Sequence, residues 1–242
     1  MKKGKLFSRF HPAVISVYAA VIAASALLPS IPLLGTGGTF SIATALVPLA
    51  GVFFGPVAGA LCAAIGGFVG QLIAPNTAWL GIATFLIGVV AALAAGLVAT
   101  KKWYVSLGLI LLGTVLWFFH PIGQQAPIFP AVFYGSGAVA GVLAAFVGYS
   151  WLKSNNVFKK SVAVFLAAYI AMVASASLAN FTALIVFQIP AETWTLLAFM
   201  APMERASFSI GSVIVGVPLL IGLPKIGIFI GPALDEEVEA ED

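Results

Sequence analysis

The sequence predicts an all-α integral membrane protein, a polytopic bundle of about eight transmembrane helices in one domain over residues 1–232, followed by an acidic tail at 233–242. Three observations predict it. Hydrophobic residues make up 62% of the 242 and charged residues 8%, where a soluble domain carries roughly a quarter charged residues. Mean hydropathy is +1.13, and a soluble core of this size cannot hide so much apolar surface. The charges are also segregated: six of the eight acidic residues lie in the closing DEEVEAED, leaving only Glu192 and Glu204 elsewhere. That tail is expected to be solvated and cytoplasmic.

A helix needs about 20 apolar residues to cross ~30 Å of hydrocarbon. On that scale the spans are expected near 12–29, 40–54, 56–74, 79–100, 103–119, 128–151, 161–187 and 207–230. The opening MKKGKLFSRF with its apolar run has the layout of a signal peptide, with Ala24-Ser25-Ala26 as a cleavage site; because further spans follow, an uncleaved first helix is expected. Residues 40–74 hold no charge, yet as one helix they would be about 52 Å long. Gly55-Pro56 is the natural break, since proline lacks a donor and glycine permits a sharp turn.

Lysine and arginine near span ends stay mainly on the cytoplasmic side. With eight spans and a cytoplasmic N-terminus, Lys2, Lys3, Lys5, Arg9, Lys101, Lys102, Lys153, Lys159, Lys160 and Lys225 all fall inside and only Arg205 outside. A single crossing of 40–74 would push the Lys101 and Lys153 groups outward, so a hairpin is favoured. The C-terminus is then also cytoplasmic, in the plasma membrane. The outer loops become SIPLLGTGGTF, APNTAW, HPIGQQAPIFP and QIPAETWTLLAFMAPMERAS.

Most of the polar chemistry gathers at that outer end. Asn76, Trp79, His120, Gln124, Gln125, Gln188, Glu192, Trp194, Glu204 and Arg205 fall in the loops or adjoining helix ends, with Gln71, Tyr134 and Asn180 slightly deeper. These are the candidate substrate-binding residues. Each has a structural alternative: aromatic belt for the tryptophans, interhelical hydrogen bonds for Gln71 and Asn180, a helix N-terminus opened by Pro202 for Glu204, and snorkelling for Arg205. Glu204 and Arg205 diverge by about 100° on a helix, so no natural pair is expected between them. Arg205 is the best candidate to hold an anionic group of a solute, or it pairs with Glu192.

Small residues recur at spacing four, as in Gly59, Ala63 and Gly67 or Gly88, Ala92 and Gly96, and let backbones approach closely in lipid. The first helix carries two such stripes, Ala19/Ala23 and Ser16/Ala20/Ala24, which suggests an external membrane partner. Cys62 is expected to be a packing residue, and no metal set or cofactor motif surrounds it. The stretch from Ala43 to Ile73, with Phe54-Gly55-Pro56 followed by a Gly/Ala-rich helix and preceded by the alanine stripes, resembles the substrate-binding S components of energy-coupling factor (ECF) vitamin transporters.

The resemblance covers roughly residues 12–100. It implies a subunit that captures a vitamin-like small molecule from outside and delivers it with a transmembrane coupling subunit and two ATPase subunits. It further implies that Ala19, Ala20, Ala23 and Ala24 meet the coupling subunit. S components usually have six spans, some seven, so an S-component-like core of six is expected within the eight counted here. Biotin, thiamine, riboflavin and a nucleobase-like compound all remain open as solutes.

The phosphate loop of an ATPase is absent from the sequence. A self-sufficient secondary transporter or channel is the alternative; it usually places ionisable groups near the midplane, whereas the expected spans put every carboxylate in a loop or tail. An enzyme is not expected. Tyr134-Gly135-Ser136-Gly137 lacks the first glycine of an intramembrane serine protease, and His120 precedes the serine. Nothing suggests nucleic-acid binding.

Overall fold

A computed structural model describes residues 12–28, 30–32, 39–41 and 43–232. The basic opening through His11 and the acidic tail therefore lie outside the described residues. The helices are α1 (Pro12–Ser25), α2 (Ala43–Ile73), α3 (Thr84–Ala99), α4 (Trp103–Phe118), α5 (Pro121–Gln125), α6 (Gly135–Leu152), α7 (Val157–Phe187) and α8 (Ala191–Gly222). Two three-residue strands, β1 (Ser30–Pro32) and β2 (Thr39–Ser41), pair antiparallel between α1 and α2, a local departure from an all-helical chain. Five helices are long and apolar enough to cross a membrane, with α1 and α4 as shorter apolar helices.

α2 is a hairpin. Gly55 stands at φ 76°, ψ −179° inside it, a left-handed-side conformation that glycine adopts without a Cβ penalty. Beyond it the chain doubles back: a Cβ at Gly59 would lie 2.6 Å from the Cα of Gly51, whereas in an uninterrupted helix positions eight apart are about 12 Å distant. With its two arms counted separately, the described residues hold eight apolar segments where eight spans are expected. The first arm, residues 43–54, is about 18 Å long and does not cover the hydrocarbon by itself. The Phe53 carbonyl near its C-terminus accepts from the backbone N–H of Gly231 at 2.8 Å, so the chain after α8 closes the hairpin's tip.

Glycines set how the arms dock. The second arm runs parallel to α1, with Gly66 against Ala19 and Ile22, and Gly70 against Ala23 and Ala26. The first arm runs parallel to α3, with Val47 facing Gly88, Gly51 facing Ala92, and Gly55-Pro56 facing Gly96. Hydroxyls then pin the helices together, as expected where apolar burial does not drive association. Tyr18 donates to the Leu46 carbonyl at 2.9 Å, Ser106 to Ala94 at 3.0 Å and Ser212 to Ala45 at 2.6 Å. α7 is the axis: 83% of its most apolar window is buried, against at most 44% in the other long helices.

The alternating helix directions put Gly55, the Lys101-Lys102 turn and residues 153–156 at one end, and the turns at 74–83, 119–127 and 188–190 at the other. Lysines at the first end lie over aromatic faces: Lys101 and Lys153 are 4.5 and 5.1 Å from the Tyr149 ring, and Lys159 is 6.0 Å from Trp151. This is the mix of basic and aromatic side chains typical of an interface with headgroups.

Three departures from the expected boundaries bear on the site and its surroundings. α7 starts at Val157, not 161, because Asn156 caps it through a bond from the Lys159 N–H. A short α5 occupies the loop at 119–127. Most consequentially, α8 begins at Ala191, so the loop expected over 188–206 shrinks to three residues. Pro202 lies inside α8, where it forfeits one backbone bond without ending the helix. It therefore does not begin a helix beneath Glu204, and the acidic residue in the first turn is Glu192.

The Gly96 contact yields a direct test. A Cβ there would stand 2.5 Å from the backbone of Pro56, whereas nothing lies within 4 Å of one at Gly108. Gly96→Ala is expected to lower stability in detergent by about 1–3 kcal/mol, read as a fall in thermal midpoint, while Gly108→Ala leaves it unchanged or slightly raised.

Candidate functional site

The end of the bundle away from the lysine-rich turns holds a cavity of about 180 Å³. Its walls come from Ile22 of α1 and Ala26 just after it, both ends of α2 (Ala43, Thr44, Val47 and Gly66, Gly67, Gly70, Gln71), the first half of α3, and Met172, Ala176, Ala179 and Asn180 of α7. Arg205 reaches it from α8, and Thr77 and Trp79 come from the connection between α2 and α3. The hairpin explains why Thr44 and Gln71 share this space. In a straight helix they would be about 40 Å apart.

Of the residues expected from sequence, Gln71, Trp79, Asn180 and Arg205 line the cavity. Both amide atoms of Gln71 are buried without a hydrogen-bond partner among the described residues. Asn180 donates through Nδ2 to the Tyr134 hydroxyl at 3.3 Å, leaving its carbonyl oxygen for the cavity. Tyr134 is 1% exposed and stands behind Asn180, at the end of a five-residue π-helical turn, Pro130–Tyr134. It supports the wall without forming it. The ring of Trp79 stacks on Phe187, centroids 6.0 Å apart and planes 27° from parallel, and Trp79 also lines the cavity.

The remaining candidates are placed elsewhere. Trp194 is 3% exposed in a cluster with Trp117 and Phe129, both 5.0 Å away by ring centroid, so it serves neither as an interfacial belt residue nor as a stacking platform. His120 caps α5 by accepting from the Ile122 N–H at 3.3 Å. Gln124 is exposed and donates to the Phe118 carbonyl at 3.0 Å, and Gln125 is exposed beside it. Gln188 closes α7 in a left-handed conformation, while Asn76 and Glu192 are exposed at the same end.

Glu204 and Arg205 pair, contrary to expectation, with Nη1 and Oε1 3.7 Å apart. They do so within α8, not in a loop, so one carboxylate does lie inside a long apolar helix, contrary to the expectation that every carboxylate falls in a loop or tail. Arg205 does not meet Glu192. In α1 the two small-residue stripes separate: Ala19 and Ala23 are buried against α2, which corrects their expected exposure to a partner, while Ser16, Ala20 and Ala24 remain exposed.

Sequence reasoning missed Thr44, Thr77, Thr84 and Phe85 as lining residues. Thr77 and Thr84 spend their hydroxyl protons on the Ala74 and Gly81 carbonyls. A recoverable signal was the glycine run at Gly66, Gly67 and Gly70, which thins one wall beside Gln71. Among the described residues no cluster of His, Cys, Asp or Glu is suited to a metal ion.

Fold and cavity together define a class: a polytopic helical membrane protein with a solute-sized, mainly apolar chamber carrying two amides and one guanidinium. Residues 11–122 match the family model described as ECF-type riboflavin transporter, S component. The match takes in α1 to α4 and the α2–α3 walls of the cavity, and it supports an ECF S component, in agreement with the resemblance carried by the Phe54-Gly55-Pro56 turn. No curated protein and no solved structure matches the chain at the threshold applied.

Gln71 provides a test of what the cavity costs. An amide buried without partners is destabilising by about 1–3 kcal/mol, and leucine has a similar shape without that penalty. Gln71→Leu is expected to raise the thermal midpoint of the empty protein in detergent, the reverse of a typical core substitution.

Proposed function

We propose that the chain is the membrane-embedded substrate-binding subunit of an ECF-type transporter, and that its cavity receives a flavin-like vitamin from outside for ATP-driven import. The observation that carries this is the convergence of Gln71, Asn180, Arg205 and Trp79 on one chamber walled largely by the segment that matches the riboflavin S-component model. A flat, uncharged heterocycle with amide-like edges suits these groups. Trp79 offers a ring face, Gln71 offers both a donor and an acceptor, and Asn180 offers its carbonyl oxygen. Arg205 contributes a charge-assisted donor to a ring carbonyl. The chain would supply binding, and a coupling subunit with two ATPases would supply energy.

The lysine-bearing end is read as cytoplasmic, which turns the cavity outward. The exposed Ser16/Ala20/Ala24 face of α1 is the surface left for a membrane partner, now that Ala19 and Ala23 are engaged internally. The chain itself needs no enzymatic step for this role.

Purified protein in detergent is expected to bind riboflavin saturably, read by quenching of flavin fluorescence. Asn180→Ala and Arg205→Ala should each weaken binding at least tenfold, about 1.4 kcal/mol. Retention of some other small molecule and no flavin, read by mass spectrometry, would overturn the flavin assignment.

Orientation has its own check. In sealed cells, an impermeant amine reagent should leave Lys101 and Lys159 unmodified until the membrane is opened; external labelling would put the chamber on the wrong side for import.

A further inference from the structure

We propose that Glu204, which does not line the cavity, fixes the cavity's charge at neutral and so acts as a specificity-determining residue that keeps anions out. The inference rests on the cavity being the solute site, and it concerns which solutes that site refuses.

Three observations carry it. Arg205 is the one charged residue among the described lining residues, and its side chain is 12% exposed. A guanidinium so placed in a membrane helix would make the chamber an anion trap, because little water screens it. Glu204 stands 3.7 Å from it on the same helix, close enough for its negative charge to offset the field an incoming anion meets.

The geometry of the carboxylate points the same way. Glu204 Oε1 is buried yet has no hydrogen-bond partner among the described residues, and 3.7 Å from Nη1 is longer than a hydrogen bond. A buried carboxylate oxygen normally takes donors. The Glu204 side chain is 34% exposed, and its buried oxygen faces the charge of Arg205, so what Glu204 supplies to its neighbour is charge and not orientation. Among the described residues, the titratable group facing the pair from α7 is Tyr169, a neutral phenol whose hydroxyl bonds Ser136 at 2.7 Å. Arg205 can then meet a carbonyl of a neutral ligand while the pair as a whole attracts no free anion.

The test reads the cavity's sign with Trp79, as the fluorescence difference between the protein and its Trp79→Phe variant in detergent. Iodide reports access by an anion and acrylamide access by a neutral molecule of small size. In Glu204→Gln the iodide-to-acrylamide quenching ratio of Trp79 is expected to rise severalfold, and in Glu204→Asp to stay near the original. An unchanged ratio in Glu204→Gln overturns the proposal. The double variant Glu204→Gln, Arg205→Gln decides the matter even where the single variant does not fold. A neutral cavity keeps its ratio when both charges go, whereas a fall in the ratio means that Arg205 dominated all along and overturns the proposal. Protection of Trp79 from acrylamide by riboflavin in the unsubstituted protein tests the solute site separately, so the two can fail apart.

Discussion

Close approach of helix backbones at glycine is the constraint from which the rest of this structure follows. In hydrocarbon an apolar side chain gains little by leaving lipid for protein, so association depends on dispersion contacts and on hydrogen bonds that need short distances. Gly51 and Gly96 supply those distances where α3 lies on the first arm of α2 and its tip, Gly59 supplies them between the two arms, and Gly66 and Gly70 supply them between the second arm and α1. A methyl group at most of these points would meet backbone rather than a movable side chain. The hairpin is therefore held by contacts that cannot be loosened gradually. Because Gly55 folds the chain back, both ends of α2 arrive at the same end of the bundle, and a chamber between them becomes possible.

The distribution of polar side chains follows from the same packing. Where helices touch, hydroxyls of Tyr18, Ser106 and Ser212 reach carbonyls of the neighbouring helix. Each such bond satisfies a donor that lipid would leave unpaired. Where the helices diverge, toward the end opposite the lysines, the polar groups are larger and less engaged. Among the described residues Gln71 has no partner at either end of its amide, and Asn180 uses one donor on Tyr134. A folded chain retains unsatisfied amides of this kind at a cost in stability, and such costs concentrate at functional sites. The contrast between engaged hydroxyls and idle amides separates structure from site more sharply than polarity alone.

Much of the fold was legible because a bilayer imposes coarse rules. Span length, the uncharged run from 40 to 74 and the placement of lysines were enough to require the hairpin at Gly55-Pro56. What was not legible was which way a side chain faces. The outer-end criterion treated Gln71 and Gln125 alike, yet one is buried in the cavity wall and the other is exposed. Trp194 and Trp79 differ in the same manner, since only tertiary packing shows that Trp117 and Phe129 claim the first. Pro202 misled for a different reason. As a start signal it outweighed the apolar residues before it, whereas a helix packed among others tolerates the loss of one backbone bond. That error put Glu204 and Arg205 at the outer rim of the last span instead of inside α8, while their pairing was hidden by a separate argument, that neighbours on a helix diverge by about 100°.

The cavity itself has a simple origin in these stripes. Residues small enough to let two helices touch leave empty volume wherever the helices are held apart. Gly66, Gly67, Gly88, Ala91, Ala176 and Ala179 all line the chamber, and several belong to the same repeats that make contacts nearer the hairpin tip. Bulkier residues at those points would fill the space and remove the need for any ligand to complete the packing. A chamber walled by small side chains adapts poorly by rotamer change, because glycine and alanine have none to offer. Shape selectivity then rests on backbone positions, and hence on the glycine contacts lower in the bundle. Packing and recognition are in this sense one property of α2 and α3, expressed at opposite ends of the same helices.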